Sequence, residues 1–286
     1  MPTMGGMQDC EALAQIYHET IDSKFDDVEI DMGNVNWFDA DLCAPFGAIL
    51  YSISQQLNNV QLVNLIPHVR NALARNGFLS YYGSEWFTYG FGTTIEYKRF
   101  DVKDDRYFAE YIQDKLMRRT EIPNMSDGLR KKFQESIFEI FNNAVIHSGT
   151  KHGIFSCGQY FPKRQWLNFT IADLGVGIPW NVRQFQGLHD LAAAEAIDWA
   201  TSDNNTTKRG SVPGGLGLKL LREFINKNEG EIQIVSDLGY WECSSGPPKL
   251  AAMERRFPGT FVRICINTGD TNSYALDSER SNSNIL

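Results

Sequence analysis

Long hydrophobic runs, paired cysteines, an excess of positive charge and any fixed-period repeat are all missing from this 286-residue chain. No apolar stretch approaches the roughly 20 residues that cross a bilayer. The nearest, residues 42–50, is broken by Pro45 and Gly47. Asp9 and Glu11 stand near the N-terminus without a basic segment, so no secretory signal is expected. The cysteines, Cys10, Cys43, Cys157, Cys243 and Cys265, are odd in number, and none sits in a C-x-x-C pair. Neither a zinc site nor a disulfide framework follows; free thiols in a reducing cytoplasm are expected. A formal charge of -8 disfavours direct nucleic-acid binding, which needs clustered lysine and arginine to displace counterions. A nucleotide phosphate would be met by Mg²⁺, backbone N–H groups and a few placed cations. These absences predict a soluble, cytoplasmic protein with no membrane partner.

What is present is ample core material: 42% of residues are hydrophobic and 12% aromatic, over a length suited to about two domains. In the first half, residues 10–23 read as an amphipathic helix, and Val28 to Met32 alternate as a half-buried strand does. Residues 44–57 have helical apolar spacing, 60–65 read as a strand, and 69–76 as a helix closed by Gly77. Residues 93–100 read as the last strand of a small α/β unit spanning 1–105, with 101–105 as linker.

The second unit, 106–267, opens with a helix over 106–119. Ser126 is placed as an N-cap with Asp127 in the first turn, and Leu129, Phe133, Ile137, Ile140 and Ala144 form a helical stripe. Residues 154–160 and 166–172 read as strands, 191–200 and 216–226 as helices. Residues 231–236 and 260–266 read as strands joined by an irregular excursion. The tail, 268–286, has too little apolar content to fold alone and is expected to be disordered.

Glu139, Asn143 and His147 fall at i, i+4 and i+8 on the long helix, forming one polar stripe. An Asn oxygen suits Mg²⁺, and a Glu can orient or deprotonate a water. A solvated helix face would carry the same residues, so the stripe does not decide alone. Asp173 ends an apolar strand and precedes Gly175 and Gly177. Such a carboxylate can accept from an exocyclic amine like that of adenine while the backbone approaches a planar ligand. A plain strand exit is the alternative.

Gly214, Gly215, Leu216, Gly217 and Leu218 open a further helix, where backbone N–H groups favour anions. The Lys-Ser/Thr spacing of a P-loop is absent. Upstream, Lys208 and Arg209 lie in a polar stretch, 202–211, that reads as a lid able to reach a γ-phosphate, or as a solvated basic loop. Thr260 follows Pro258 and Gly259 at the start of the final strand. Its hydroxyl would support the adenine contact of Asp173, unless it is there only as a strand former.

The series E-x-x-x-N-A-x-x-H at Glu139, D-x-G-x-G at Asp173 and G-G-L-G-L at Gly214 occurs in that order. Together the three resemble the N, G1 and G2 boxes of the GHKL superfamily, which contains gyrase, Hsp90, sensor histidine kinases and MutL. The resemblance covers about half the chain, residues 126–267. It implies a Bergerat-type α/β sandwich, a mixed sheet packed on helices, binding Mg·ATP under a flexible lid. By that resemblance Asn143 would hold Mg²⁺, Asp173 would take the adenine amine, and Glu139 would be the base or water-orienting residue. Gly175, Gly177, Gly215 and Gly217 would shape the pocket, Thr260 would match the adenine-side threonine, and His147 would lie near the phosphates. Pro213 departs from the second box, which often has its first glycine there.

The first half is similar to a STAS-type domain, the fold of bacterial anti-sigma-factor antagonists. Asp39-Ala40 stands where that family has an Asp followed by a phosphorylatable serine. A docking or lid-contacting module is implied in place of a phospho-switch. The whole is read as a bacterial regulatory ATPase, a hydrolase whose nucleotide state controls a protein partner encoded nearby. A serine/threonine kinase of the anti-sigma type and a non-catalytic ATP-sensing scaffold are the alternatives, and a homodimer is left open. An autophosphorylating histidine kinase is disfavoured, because residues 107–119 contain no histidine.

Overall fold

A computed structural model of the chain describes residues 6–82, 92–202 and 216–280. It is mixed α/β. The N-terminal elements are α1 (Met7–Thr20), β1 (Asp27–Asp31), α2 (Cys43–Ser54), β2 (Asn59–Val63), α3 (Pro67–Arg75) and the short α4 (Leu79–Tyr82). β1 and β2 pair in parallel, Val28 opposite Val60 and Ile30 opposite Leu62. In β1 the apolar Val28 and Ile30 are buried and their acidic neighbours exposed, the alternation expected of a strand with one wet face.

Five further strands form one sheet, antiparallel at every pairing where a mixed sheet was expected. They are β3 (Thr94–Phe100), β4 (Ile154–Phe161), β5 (Trp166–Asp173), β6 (Glu231–Cys243) and β7 (Lys249–Asn267). Their spatial order is β3-β4-β5-β7-β6. The 94–100 strand, read from sequence as closing the first unit, is therefore an edge of this larger sheet, with Phe100 opposite Ile154. Sequence adjacency suggested the first unit; backbone pairing assigns the strand to the second.

Helices cover one face of the sheet. They are α5 (Asp105–Tyr111), continued by a π-helical stretch (Ile112–Met117), α6 (Asp127–His147), α8 (Ala193–Thr201) and α9 (Leu216–Lys227). Phe108, Phe133, Ile137, Phe141, Leu221 and Ile225 pack there against Leu167, Phe169, Ile264 and Ile266. The opposite face packs on the N-terminal unit, with Phe46, Ile49, Phe78, Phe155, Ala172, Val235 and Phe261 in one cluster. Successive strand residues thus serve different cores, which the two-residue period of a strand requires. No helix among the described residues is long and apolar enough to cross a membrane.

Three further expectations change. The excursion after residue 236 is a hairpin: β6 and β7 continue to pair, Gly239 opposite Ala252 and Trp241 opposite Leu250. Its irregular composition hides buried Tyr240, Trp241, Met253 and Phe257, which hold it down. A helix, α7 (Ile178–Gln186), follows the D-x-G-x-G segment, with Pro179 in its first turn and left-handed Gly187 at its end. Finally, residues 268–280 are not a loose tail. Tyr274 donates through its N–H to Asn124 O over 2.9 Å and through its hydroxyl to Lys227 O over 3.0 Å. The short α10 (Asp277–Arg280) places Glu279 where it accepts from Gly128 N over 3.2 Å. Low apolar content misled here because one aromatic and one capping carboxylate anchor the segment. Residues 281–286 lie outside the described residues.

Candidate functional site

Helix α6 forms for local reasons. Ser126 Oγ accepts the Leu129 N–H over 3.2 Å, Asp127 sits in the first turn, and His147 in the last. Leu129, Phe133, Ile137, Ile140 and Ala144 are buried against the sheet. This fixes the helix rotation and leaves Glu139, Asn143 and His147 along one half-buried edge. All three line a cavity of about 150 Å³ between α6, the sheet, α7 and α8.

The opposite wall comes from the strands. Asp173 ends β5 and lies directly across from Thr260 of β7, and both line the cavity. Asp173 is buried, and its Oδ1 has no hydrogen-bond partner. Burial pushes its carboxyl up to about 7, while the Gly175 N–H and the Ser148 hydroxyl donate to it and pull the other way. Ile140, Ala144, Ile171, Ile234, Val262 and Leu218 complete apolar walls.

Close backbone approach explains two glycines. At Gly259 φ is +151°, and a Cβ would fall 2.1 Å from Asp173 O. At Gly177 φ is +81°, and a Cβ would fall 2.8 Å from Ser236 Oγ. A side chain at either position would be strained and would displace the atoms that shape the cavity.

Ser236 Oγ ties these parts together. It donates to Gly259 O over 2.8 Å and accepts from Ile178 N over 2.9 Å. It also lies 2.8 Å from Thr260 Oγ1. Since the single Ser236 hydroxyl proton is committed to Gly259 O, the Thr260 hydroxyl donates to Ser236. What Thr260 has left to offer a ligand is acceptor capacity, beside the carboxylate of Asp173. Asn181 of α7 donates from Nδ2 to Gly177 O over 2.9 Å and to His147 O over 3.1 Å, joining the stripe helix to the glycine loop. Ser148 O accepts from Val176 N over 2.8 Å.

Glu139, Asn143, His147, Asp173, Gly177, Leu218 and Thr260 are therefore brought to one cavity. Gly175 stands behind it, where a Cβ would fall 2.3 Å from Ser148 O. Leu216 and Gly217 begin α9. Lys208, Arg209, Pro213, Gly214 and Gly215 lie outside the described residues. Ser148, Asn181 and Ser236 were not singled out from sequence. Ser148 follows His147 directly and Ser236 ends an apolar strand, which are weak signals; nothing local marks Asn181.

Among the described residues no group of three or more His, Cys, Asp or Glu side chains could hold a metal ion by itself. A cation here would be held by Asn143, water and ligand oxygens together, as suits Mg²⁺ with a phosphorylated ligand. No protein-family model matches the chain, and no curated protein matches it.

Proposed function

We propose that this cavity binds Mg·ATP and that the protein is a regulatory ATPase of the GHKL type, with a Bergerat-like second unit and a STAS-like first unit. One observation carries the reading: a buried carboxylate, Asp173, lacks a partner at one oxygen in an apolar cavity whose far side bears Glu139, Asn143 and His147. A buried acceptor without a donor is costly, and an exocyclic amine supplies the missing N–H. Thr260, an acceptor beside it, suits the second proton of the same amine. The apolar walls suit the flat faces of a purine.

Such a base would leave the phosphates towards the polar edge of α6. There Asn143 would contribute an oxygen to Mg²⁺, which neutralises phosphate charge when bound. Glu139 would accept a proton from, or orient, an attacking water. His147 would lie beside the phosphates. Lys208, Arg209, Gly214 and Gly215 belong to the same proposal on the sequence alone. The sheet whose one face lines the cavity packs on the N-terminal unit by the other. This supports a regulatory role, in which nucleotide state alters a surface read by a protein partner.

Turnover of γ-labelled ATP by the purified chain tests the proposal, with mass spectrometry of partner and chain. Phosphate release that falls about 10²–10⁴-fold in Glu139→Ala is expected for general-base catalysis. Label on a partner serine would select a protein kinase instead. Tight ATP binding without release, with and without partner, would select a sensing scaffold. Absence of ATP binding sinks all three.

A further inference from the structure

A second cavity, of about 370 Å³, opens on the other face of the sheet, between the start of α1, the β4–β5 hairpin, β6 and β7. Asn168, Gln233 and Arg263 line it and are buried. Arg263 donates from Nε to Asp41 Oδ2 over 2.6 Å and from Nη1 to Gln233 Oε1 over 3.4 Å. Its Nη2 lies 3.6 Å from Asp39 Oδ2. Asn168 Nδ2 donates to the same Asp41 oxygen over 3.3 Å. That contact fixes the amide orientation, because a flipped amide would set oxygen against carboxylate.

Asn168 Oδ1 is then left without a partner, and so is Asp41 Oδ1. Glu231, half-buried, lines the cavity too and accepts from Gln233 Nε2 over 2.6 Å. Burial and the neighbouring Glu242 push its carboxyl above the ordinary range. Among the groups that line the floor, the Glu231 carboxylate and the unmatched Asn168 oxygen are acceptors, while Arg263 is turned to Asp41, Asp39 and Gln233.

The mouth carries two cations, with Glu242 beside one of them. Arg164 and Lys249 are exposed and line the opening, each 5.8 Å from an aromatic centroid, Phe161 and Tyr240 respectively. Lys249 also lies 4.0 Å from Glu242, which accepts from the Tyr240 hydroxyl.

We propose that this cavity binds a small zwitterion of the α-amino-acid class. Its ammonium group meets Glu231 and Asn168 Oδ1, and its carboxylate faces Arg164 and Lys249. A polar cavity of this size also admits water. The unpartnered Asn168 oxygen beside Glu231 within, and Arg164 and Lys249 at the mouth, distinguish the two occupants, because water needs no such separation of charge. The assignment does not depend on the nucleotide reading.

Saturation-transfer NMR on the full chain, with each standard L-amino acid at about 10 mM, is the first measurement. At least one should bind. Its N-acetyl and carboxamide derivatives, each missing one charge, should bind at least about tenfold more weakly. Glu231→Gln should cost the same ligand about tenfold, and Lys249→Gln, on the exposed rim, about threefold. Circular dichroism separates these losses from misfolding, and Asp173→Asn should leave the affinity unchanged. Failure of every amino acid to bind overturns the proposal and leaves the cavity to water. So does binding that survives N-acetylation, or that neither substitution weakens.

Discussion

On one face of the five-stranded sheet, β5 and β7 present Ile171, Asp173, Thr260 and Val262 to the cavity beside α6. On the other face the same strands present Asn168, Phe261 and Arg263 to the N-terminal unit. Each face buries a carboxylate whose pKa burial raises, Asp173 to about 7 and Asp39 to about 6. The surroundings differ. Asp39 and Asp41 have Arg263 against them, and Asp39 Oδ1 also accepts from Trp37 Nε1 over 2.6 Å. Asp173 has hydroxyl and backbone donors and, among the described residues, no ion pair. A compensated charge reads as internal structure; an uncompensated one beside a cavity reads as a place for a ligand.

Arg263→Met should have the largest effect on stability. It strands two carboxylates in the interior, and breaking a buried pair costs about 3–5 kcal/mol. Urea unfolding measures it. A loss below about 1 kcal/mol would mean that the N-terminal face is not held by charge, and the contrast between faces would collapse.

Asp173→Asn should weaken ATP binding by at least about tenfold, for loss of a charged hydrogen bond worth about 1.5–3 kcal/mol. Calorimetry at constant salt reads this. Unchanged affinity would remove Asp173 from the nucleotide reading, while the cavity geometry would stand.

The same substitution should behave oppositely towards stability. Burial raises the folded Asp173 pKa from 3.8 to about 7. The neutral acid is favoured in the folded state, so its stabilising contribution is full below about pH 4 and lost as pH rises through about 7. Ligand-free Asp173→Asn should therefore melt higher than the parent at about pH 8, and differ little at about pH 4. For Asp39, burial and the neighbouring Asp41 act in the same upward direction, opposed by Arg263 and the Trp37 N–H. Equal melting shifts at both pH values would show that Asp173 is compensated after all.

Ser236→Ala tests the smallest term. It removes the hydroxyl shared by Ile178 N, Gly259 O and Thr260 Oγ1. A stability loss of about 0.5–1.5 kcal/mol is expected, with a weaker nucleotide complex because the Thr260 proton is released from its partner. A neutral result would mean that water replaces the hydroxyl.

Much of this architecture was legible in the residues. Helix α6 announced itself through Ser126, Asp127 and a sustained apolar stripe, and the stripe also determined which edge carries Glu139, Asn143 and His147. β5 announced itself as an apolar run, and the two glycines after it marked a tight loop. The hairpin beyond Ser236 was illegible because Gly, Pro and Ser mask a strand held by long-range packing of Trp241 and Phe257. The tail was illegible because a single Tyr274 and Glu279 anchor it to α6 and α9, contacts with no local periodicity.

By itself the sequence determined the local elements and the polar groups they carry, since helix and strand periods depend on neighbours three, four or two residues away. It also determined that Asp173 would stand at a strand end beside Gly175 and Gly177. Only the tertiary structure decided that β3 joins the larger sheet and that Ser236, Ser148 and Asn181 serve the first cavity. It alone decided that Arg263 meets Asp39 and Asp41 from more than two hundred residues away. Pairing between distant strands sets these contacts, and a one-residue change in register would send every side chain to the other face.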